Sequence, residues 1–405
     1  MIAPPAVRDL AQQLAREDAL PAYIYDVRAL DAHAARIKAA LPAGVGFYYA
    51  VKANPDLAVL RVLAKHADGL EVSSGGELRH AAAAAPGRPL AFGGPGKTTT
   101  ELAAAVRAGA LLHVESPQEL RLLASVVREL GGGQEGEATA DVLLRANLDV
   151  PLPRDAGLVM GGGSTPFGMD DESLAQCAAL IPGSGLRLRG LHAHLASGLG
   201  VAAALRSAAG VLRFARPWCA AHDVRAPVIT LGGGMDVDYG RPGRTFGWEA
   251  YGRGLAGLAR DARARPGETL RIEPGRAVTA YCGWYATRVL DLKRHQNGAF
   301  AVVAGGTHHL RTPVAKGHSQ PFTVISDERW PHPWERPAVT RAPVTVTGQL
   351  CTPKDVLARD ARVRRLRAGD LVAFGLAGAY AWNISHTRFL MHEEPGFHYV
   401  GEDPP

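Results

Sequence analysis

The sequence predicts an α/β protein: a (β/α)8 TIM barrel followed by a C-terminal β-rich domain. Three observations carry this expectation. From about Val27 to Pro266, short apolar strands alternate with Ala/Leu/Arg helices, which is the pattern of βαβ units on a parallel sheet. About eight such strand signals can be counted, enough to close a barrel. After Pro274 the long helices stop and strand-like runs follow one another, which indicates an antiparallel or mixed β domain. At 405 residues and 47% hydrophobic content the chain is longer than one plain barrel needs and can bury two cores. The expected partition is a barrel over residues 27–270, with residues 1–26 and 271–405 forming the β-rich domain.

Met1 to Tyr25 reads as a helix and a short strand, Ala22-Tyr23-Ile24-Tyr25, and Arg28 to Ala40 as a helix. Barrel strands are expected at Phe47–Val51, Gly69–Val72, Leu90–Phe92, Leu111–Val114, Asp141–Arg145, Leu186–His194, Val228–Leu231 and Leu270–Glu273, runs short and apolar enough for a sheet buried on both faces. Behind the first strand, Asn54 and Pro55 form an N-cap and N1 pair that opens a helix through Leu57, Leu60, Leu63 and Ala64, closed by Gly69. Gly131-Gly132-Gly133-Gln134-Glu135 and Gly161 to Ser164 read as surface loops. In the second domain, strands are expected at Ala277–Lys293, Phe300–Val303, Val344–Gln349, Asp370–Phe374 and Phe389–Met391.

A net charge of +6 and a pI near 9.2, with Arg dispersed along the chain, suit acidic small-molecule ligands. There is no basic run, RNA-binding signature or zinc-finger spacing, so no nucleic-acid partner is expected. Met1 to Glu17 is amphipathic and lacks a continuous apolar core; neither a signal peptide nor a membrane span is expected, and a cytoplasmic location fits. Cys177, Cys219, Cys282 and Cys351 are too widely spaced for a disulfide framework or a zinc site.

Lys52 ends the apolar run Phe47-Tyr48-Tyr49-Ala50-Val51, at the carboxyl end of a strand where barrel enzymes keep their reacting groups. A desolvated lysine there can form a Schiff base; the plainer reading is a lysine snorkelling at a strand edge. Gly232-Gly233-Gly234 after the strand Val228–Leu231 offers backbone N–H groups at a turn, a geometry that cradles phosphate. Glu273-Pro274-Gly275-Arg276 combines a carboxylate, a tight turn and a guanidinium within four residues. A carboxylate facing a pyridine nitrogen keeps it protonated, while turn amides hold a phosphate; otherwise Glu273 and Arg276 are a surface ion pair of little value. In His192-Ala193-His194-Leu195-Ala196-Ser197-Gly198 both histidines point to one side of a strand. One of them can stack on a cofactor ring. The alternative of a metal pair finds no third ligand nearby in sequence, so no metal is expected.

Taken together and in order, these motifs resemble those of the fold-type III pyridoxal-phosphate decarboxylases, the group of diaminopimelate and ornithine decarboxylases, over roughly the whole chain. The resemblance implies an alanine racemase-like barrel with a decarboxylase β domain, pyridoxal 5'-phosphate as cofactor, and loss of an amino acid's α-carboxylate as CO2. Tyr49-Ala50-Val51-Lys52-Ala53-Asn54 is similar to the family's cofactor-lysine motif, and Glu71-Val72-Ser73-Ser74-Gly75-Gly76-Glu77-Leu78 to the strand and helix start that follow it. By the same resemblance Glu71 and Arg145 lie near the cofactor ring, His194 stacks on its face, and Ser197 meets its phosphate side. Gly233, Gly234, Gly275 and Arg276 form phosphate-binding turns, Glu273 faces the pyridine nitrogen, and Tyr380 reaches the phosphate. Cys351-Thr352-Pro353-Lys354-Asp355 resembles a segment delivered from the partner subunit, which implies a homodimer with shared sites and Cys351 as proton donor after CO2 leaves.

The sequence departs from the diaminopimelate enzymes at informative places. Thr352 stands where they carry a glutamate after the cysteine, and Thr307-His308-His309-Leu310-Arg311-Thr312-Pro313 replaces their arginine-tyrosine substrate clamp. The segment around Cys351 is more similar to the siderophore branch, whose staphyloferrin B member decarboxylates a citryl-diaminopropionate. On that resemblance His308, His309, Arg311, Thr352, Lys354 and Asp355 are substrate-binding candidates for a polycarboxylate amino acid. The alternatives are a diaminopimelate decarboxylase of lysine biosynthesis, an amino-acid racemase, a non-catalytic pyridoxal-phosphate carrier and a cofactor-free sugar-binding barrel.

Overall fold

The computed structural model describes residues 2–131, 138–151, 158–261, 264–295 and 298–401. Its chain divides into two compact units, one of residues 33–236 and 246–278, the other of residues 1–32, 237–245 and 279–405.

The first unit is a closed barrel. Its strands are Val45–Ala50, Gly69–Val72, Leu90–Phe92, Leu111–Val114, Ala140–Arg145, Leu186–His192, Val228–Thr230 and Thr269–Ile272, each parallel to the next. The eighth pairs with the first through Leu270↔Val45 and Ile272↔Phe47, so no edge remains. Val, Leu, Phe and Ala dominate because one face of each strand fills the barrel and the other meets the helices. All eight expected strands form. The sixth stops at His192, two residues early: Ala193 donates to Thr230 O at 3.0 Å, and the chain then turns so that Ala196–Ser197 pairs with Leu158–Val159.

The helix behind Lys52 differs from expectation at both ends. Its N-cap is Asp56, whose Oδ1 accepts from the N–H groups of Ala58 and Val59, and its helix is Leu57–Leu63. Asn54 instead accepts from the Asp56 N–H at 3.0 Å and so fixes the turn before the cap. Gly69 does not close the helix; it opens the second strand, where a Cβ would lie 2.2 Å from the Tyr48 ring. Gly131 caps the helix Pro117–Leu130, and residues 132–135 of that expected loop lie outside the described residues.

The second unit is a β-sheet in the order Phe322–Ile325, Leu371–Phe374, Gly283–His295, Gly298–Val303, Ala338–Thr347 and Val356–Arg367, with Ala22–Asp26 also paired to Gly283–His295 and Gly396–Val400 paired in turn to Ala22–Asp26. The amino-terminal helix Pro5–Arg16 packs Val7, Ala11 and Leu14 into a core with Ile24, Trp284, Ala286, Leu371 and Ala373. Arg276–Thr279 is a short helix, so the expected strand from Ala277 starts only at Gly283. Phe389–Met391 is a 3-10 turn with Leu390 at φ 56°, a backbone no strand can use; the outer strand is Gly396–Val400 instead. Val356–Arg367 was invisible as a strand because arginines occupy so many of its solvent-facing positions. Among the described residues, no helix is long and apolar enough to cross a membrane.

Candidate active site

The barrel's carboxyl end gathers a set of buried polar residues. Lys52 lies in the 3-10 turn Val51–Ala53, directly after the first strand, and its ammonium pairs with Glu71 on the neighbouring strand. Glu71 is buried, and its second oxygen accepts from Ser73 Oγ at 3.1 Å. The carboxylate therefore orients an amine that is itself partly open to solvent.

The glycine turn is dictated by crowding. A Cβ at Gly232 would lie 2.6 Å from His194 Nδ1, at Gly233 2.1 Å from Glu273 O, and at Gly234 2.0 Å from Ala196 O. Gly232 and Gly234 also have φ of +72° and +88°. The turn thus draws the segments of His194–Ser197 and Glu273–Gly275 against one another, and Gly275-Arg276 leads into the short helix Arg276–Thr279. Gly233 N–H donates to His194 Nδ1 at 3.1 Å, which places the ring hydrogen of a neutral His194 on Nε2. Burial drives the His194 pKa well below the usual imidazole value, assisted by Lys52, Arg145 and His192. An uncharged ring there suits stacking on an aromatic face.

Glu273 is buried just beyond the eighth strand. His192 Nε2 lies 3.1 Å from Oε2, whereas Oε1 has no hydrogen-bond partner among the described residues. A buried carboxylate oxygen left open is costly unless something else fills the position, and a protonated heterocyclic nitrogen would fit there. Arg145, at the end of the fifth strand, donates from Nη1 to Glu115 Oε1 at 2.7 Å and lies over the Phe167 ring at 5.0 Å. Glu115 also accepts from Gly94 N–H at 2.9 Å and Gly168 N–H at 3.2 Å, so backbone and carboxylate together hold the guanidinium.

His113, Glu115, Lys97 and Glu119 escaped the reading of the sequence. One signal was available: Leu111-Leu112-His113-Val114 is a buried strand with one polar member. The third ligand-type groups missing near His192 in sequence also appear here, since donor atoms of His113, His192 and Glu273 lie within 4.8 Å of one another. The two rings are stacked at 4.2 Å with planes 27° apart. An ion about 2.0–2.1 Å from both nitrogens would lie out of both ring planes, so the arrangement is poor for tetrahedral coordination.

The remaining candidates belong to the β unit. Cys351 is exposed, while Cys177 and Cys219 are buried thiols whose pKa values burial pushes up to about 11 and about 12. Thr352 is half-buried and Lys354 exposed. Asp355 is buried, with Oδ1 accepting from Thr307 N–H at 2.7 Å and Oδ2 from Leu350 N–H at 2.8 Å. His308 is buried with neither ring nitrogen hydrogen-bonded among the described residues, next to His392 with ring centres 5.0 Å apart, and burial lowers its pKa to about 4. His309 lies 3.0 Å from Tyr285 OH and 2.9 Å from Glu393 O, with its pKa lowered by burial to about 3. Arg311 Nη1 donates to His386 Nδ1 at 2.9 Å. Tyr380 has φ +49°, and its carbonyl accepts from Thr312 Oγ1.

A parallel barrel that presents an amine, an open carboxylate oxygen and a crowded glycine turn at its carboxyl end defines an enzyme of the cofactor-binding barrel class. A family model described as "Pyridoxal-dependent decarboxylase, pyridoxal binding domain" matches residues 27–280. The chain is 35% identical over 383 residues to the 2-[(L-alanin-3-ylcarbamoyl)methyl]-2-hydroxybutanedioate decarboxylase of Staphylococcus aureus, covering 93% of each protein. It is 31% identical over 389 residues to the diaminopimelate decarboxylase of Deinococcus radiodurans, covering 96% of this chain and 92% of that one. The solved diaminopimelate decarboxylase of Helicobacter pylori complexed with L-lysine superposes with a TM-score of 0.80 at 24% identity, over 94% of this chain and 91% of that one, and shows the same fold. The chain belongs to the pyridoxal-dependent decarboxylases of fold type III. It is a pyridoxal-phosphate-dependent decarboxylase, and its family implies an amino-acid substrate.

Proposed function

We propose that this enzyme removes the α-carboxylate from a citryl amide of L-2,3-diaminopropionate, in a siderophore pathway, as a cytoplasmic homodimer with shared sites. The observation that carries the reading is the 35% identity, spread over 93% of both chains, to an enzyme whose name describes that amide. Thr352 after Cys351, and His308, His309 and Arg311 in one loop of the β unit, support a polycarboxylate in place of a second amino-acid terminus. The 31% identity to a diaminopimelate decarboxylase favours lysine biosynthesis as the second reading.

Pyridoxal phosphate, when bound, supplies an aldehyde that captures amines and a heterocycle that takes up the electron pair left by a departing carboxylate. In this reading Lys52 Nζ holds the aldehyde, with Glu71 orienting the amine and Arg145 near the ring. His194 would stack on the ring and Glu273 Oε1 would face its nitrogen. Ser197, Gly233, Gly234, Gly275, Arg276 and Tyr380 hold the phosphate. Cys351, from the second subunit, returns a proton from Sγ to the α-carbon. His308, His309, Arg311, Thr352 and Lys354 line the distal end of the substrate, and Asp355 acts there by holding their two loops together. The deciding experiment is CO2 release from citryl-diaminopropionate, diaminopimelate, ornithine, lysine and arginine. Preference for the citryl amide is expected; preference for diaminopimelate overturns the substrate and leaves the family intact.

A further inference from the structure

Beneath Glu273 lie two histidines with no part in the chemistry above. His113, on the fourth strand, and His192, at the end of the sixth, are both buried. Their rings stack at 4.2 Å, and each faces one oxygen of the carboxylate: His192 Nε2 lies 3.1 Å from Oε2 and His113 Nε2 3.8 Å from Oε1. Both nitrogens of His113, and Nδ1 of His192, are buried without a hydrogen-bond partner among the described residues. Thr230 Oγ1, on the strand beside His192, is likewise unpartnered, so the barrel interior here is a polar layer rather than a hydrocarbon one.

Burial pushes both imidazoles well below their usual pKa, and the charges facing them act the same way: Arg145, Lys52 and Lys97 on His192; His192, Lys97 and Arg145 on His113, with Glu273 alone opposing. Both rings are therefore neutral. A neutral imidazole has one N–H, and among the described residues only Nε2 of His192 has an acceptor within reach, so that hydrogen points at Oε2.

We propose that His192, braced by the stacked ring of His113, is a positioning residue for Glu273: it donates from Nε2 to Oε2 and thereby directs Oε1 toward the nitrogen of the cofactor's heterocycle. This rests on the reading of Glu273 as the partner of that nitrogen. The bond does two things. It fixes the carboxylate's rotation, and it occupies Oε2 so that Oε1 is the oxygen left to meet the heterocycle. His113 contributes a flat surface that holds the plane of His192 without competing for Oε2.

The test titrates cofactor-free full-length protein with pyridoxal phosphate, following the visible band and its pH dependence. His192→Leu is expected to weaken cofactor binding about ten- to hundredfold, the loss of one hydrogen bond to a charged group, and to shift the pH dependence of the band. His192→Gln retains an N–H donor of similar reach and is expected to bind within about threefold of wild type. His113→Phe keeps the stacking surface and should resemble wild type, whereas His113→Ala should fall between wild type and His192→Leu. Equal loss in His192→Leu and His192→Gln, or wild-type binding and pH dependence in His192→Leu, overturns the inference. Glu273→Gln separates the two levels: if it too binds with wild-type affinity and spectrum, the reading of Glu273 fails. If Glu273→Gln is impaired and His192→Leu is not, only the positioning role fails.

Discussion

Lys97 offers a quantitative probe of how the barrel holds its catalytic end. The Lys97 side chain is 1% exposed, and its ammonium donates to Gly94 O at 2.8 Å, His113 O at 2.8 Å and Glu119 Oε1 at 2.6 Å. The other oxygen of Glu119 accepts from Glu115 N–H at 2.9 Å, and Glu115 in turn holds Arg145. Lys97→Met keeps the stem but removes a charged donor from a buried carboxylate oxygen and two carbonyls. Breaking one side of a buried ion pair costs about 3–5 kcal/mol. Burial already raises the Glu119 pKa, with Lys97 the largest opposing influence, so the variant raises it further. A carboxyl whose folded pKa exceeds its unfolded value favours folding below the unfolded pKa and loses that contribution as pH rises through the folded one. The deficit is therefore largest at high pH. Urea unfolding should show a loss of about 3 kcal/mol at pH 8, smaller by about 1 kcal/mol or more at pH 5. Adding Glu119→Gln should recover much of the loss, because the uncharged amide needs no counter-ion. A deficit below about 1 kcal/mol, or one equal at both pH values, would refute the reasoning.

Lys52→Ala should abolish both the visible absorbance of the bound cofactor and CO2 release; an unchanged spectrum removes Lys52 from its role. Gly234→Ala forces a Cβ to within 2.0 Å of Ala196 O at a φ of +88°, so thermal unfolding and cofactor titration should both show a clear loss, of about 2 kcal/mol or more in stability. Wild-type values there would mean that the turn is not rigid. Mixing inactive Lys52→Ala and Cys351→Ala subunits in equal amounts should restore about a quarter of wild-type turnover if each site draws on both chains of a symmetric dimer, since half the dimers are mixed and each has one intact site. No recovery, or wild-type kinetics in Cys351→Ala alone, counts against a shared site.

The barrel was legible because every one of its strands is a short apolar run with a helix behind it, and the glycine triplet and Lys52 fall at strand ends that the pattern already marks. What escaped depends on neighbours in space. The N-cap moved from Asn54 to Asp56 because Asn54 spends its side chain on the preceding turn, a choice that propensity alone cannot rank. Phe389–Met391 is apolar like a strand, yet lies exposed with left-handed backbone, because the sheet's outer position is taken by Gly396–Val400. The layer of His113, Glu115 and Glu119 is assembled from one strand and the turn and helix after it, and only barrel closure carries His113 to His192 and Glu273, residues 79 and 160 positions further on.

Asp355 shows how a residue can serve a site without facing it. Its two oxygens accept the N–H groups of Thr307 and Leu350, and glycines at 306 and 348 pack so closely that a Cβ on either would approach the carboxylate to 2.6 or 2.4 Å. Two backbone amides thus satisfy the buried carboxylate's oxygens. The acid thereby ties the loop of His308, His309 and Arg311 to the loop that carries Cys351, which its own N–H closes further through Thr352 O at 3.1 Å. Exposure of the Cys351 thiol then follows from the shape of a loop pinned at its base. Asp355→Asn, which must turn one N–H donor toward an amide N–H, should loosen both loops together, whereas Lys354→Ala, at an exposed position, should leave them in place. Hydrogen exchange that rose only around Cys351 in Asp355→Asn would break the coupling argued here.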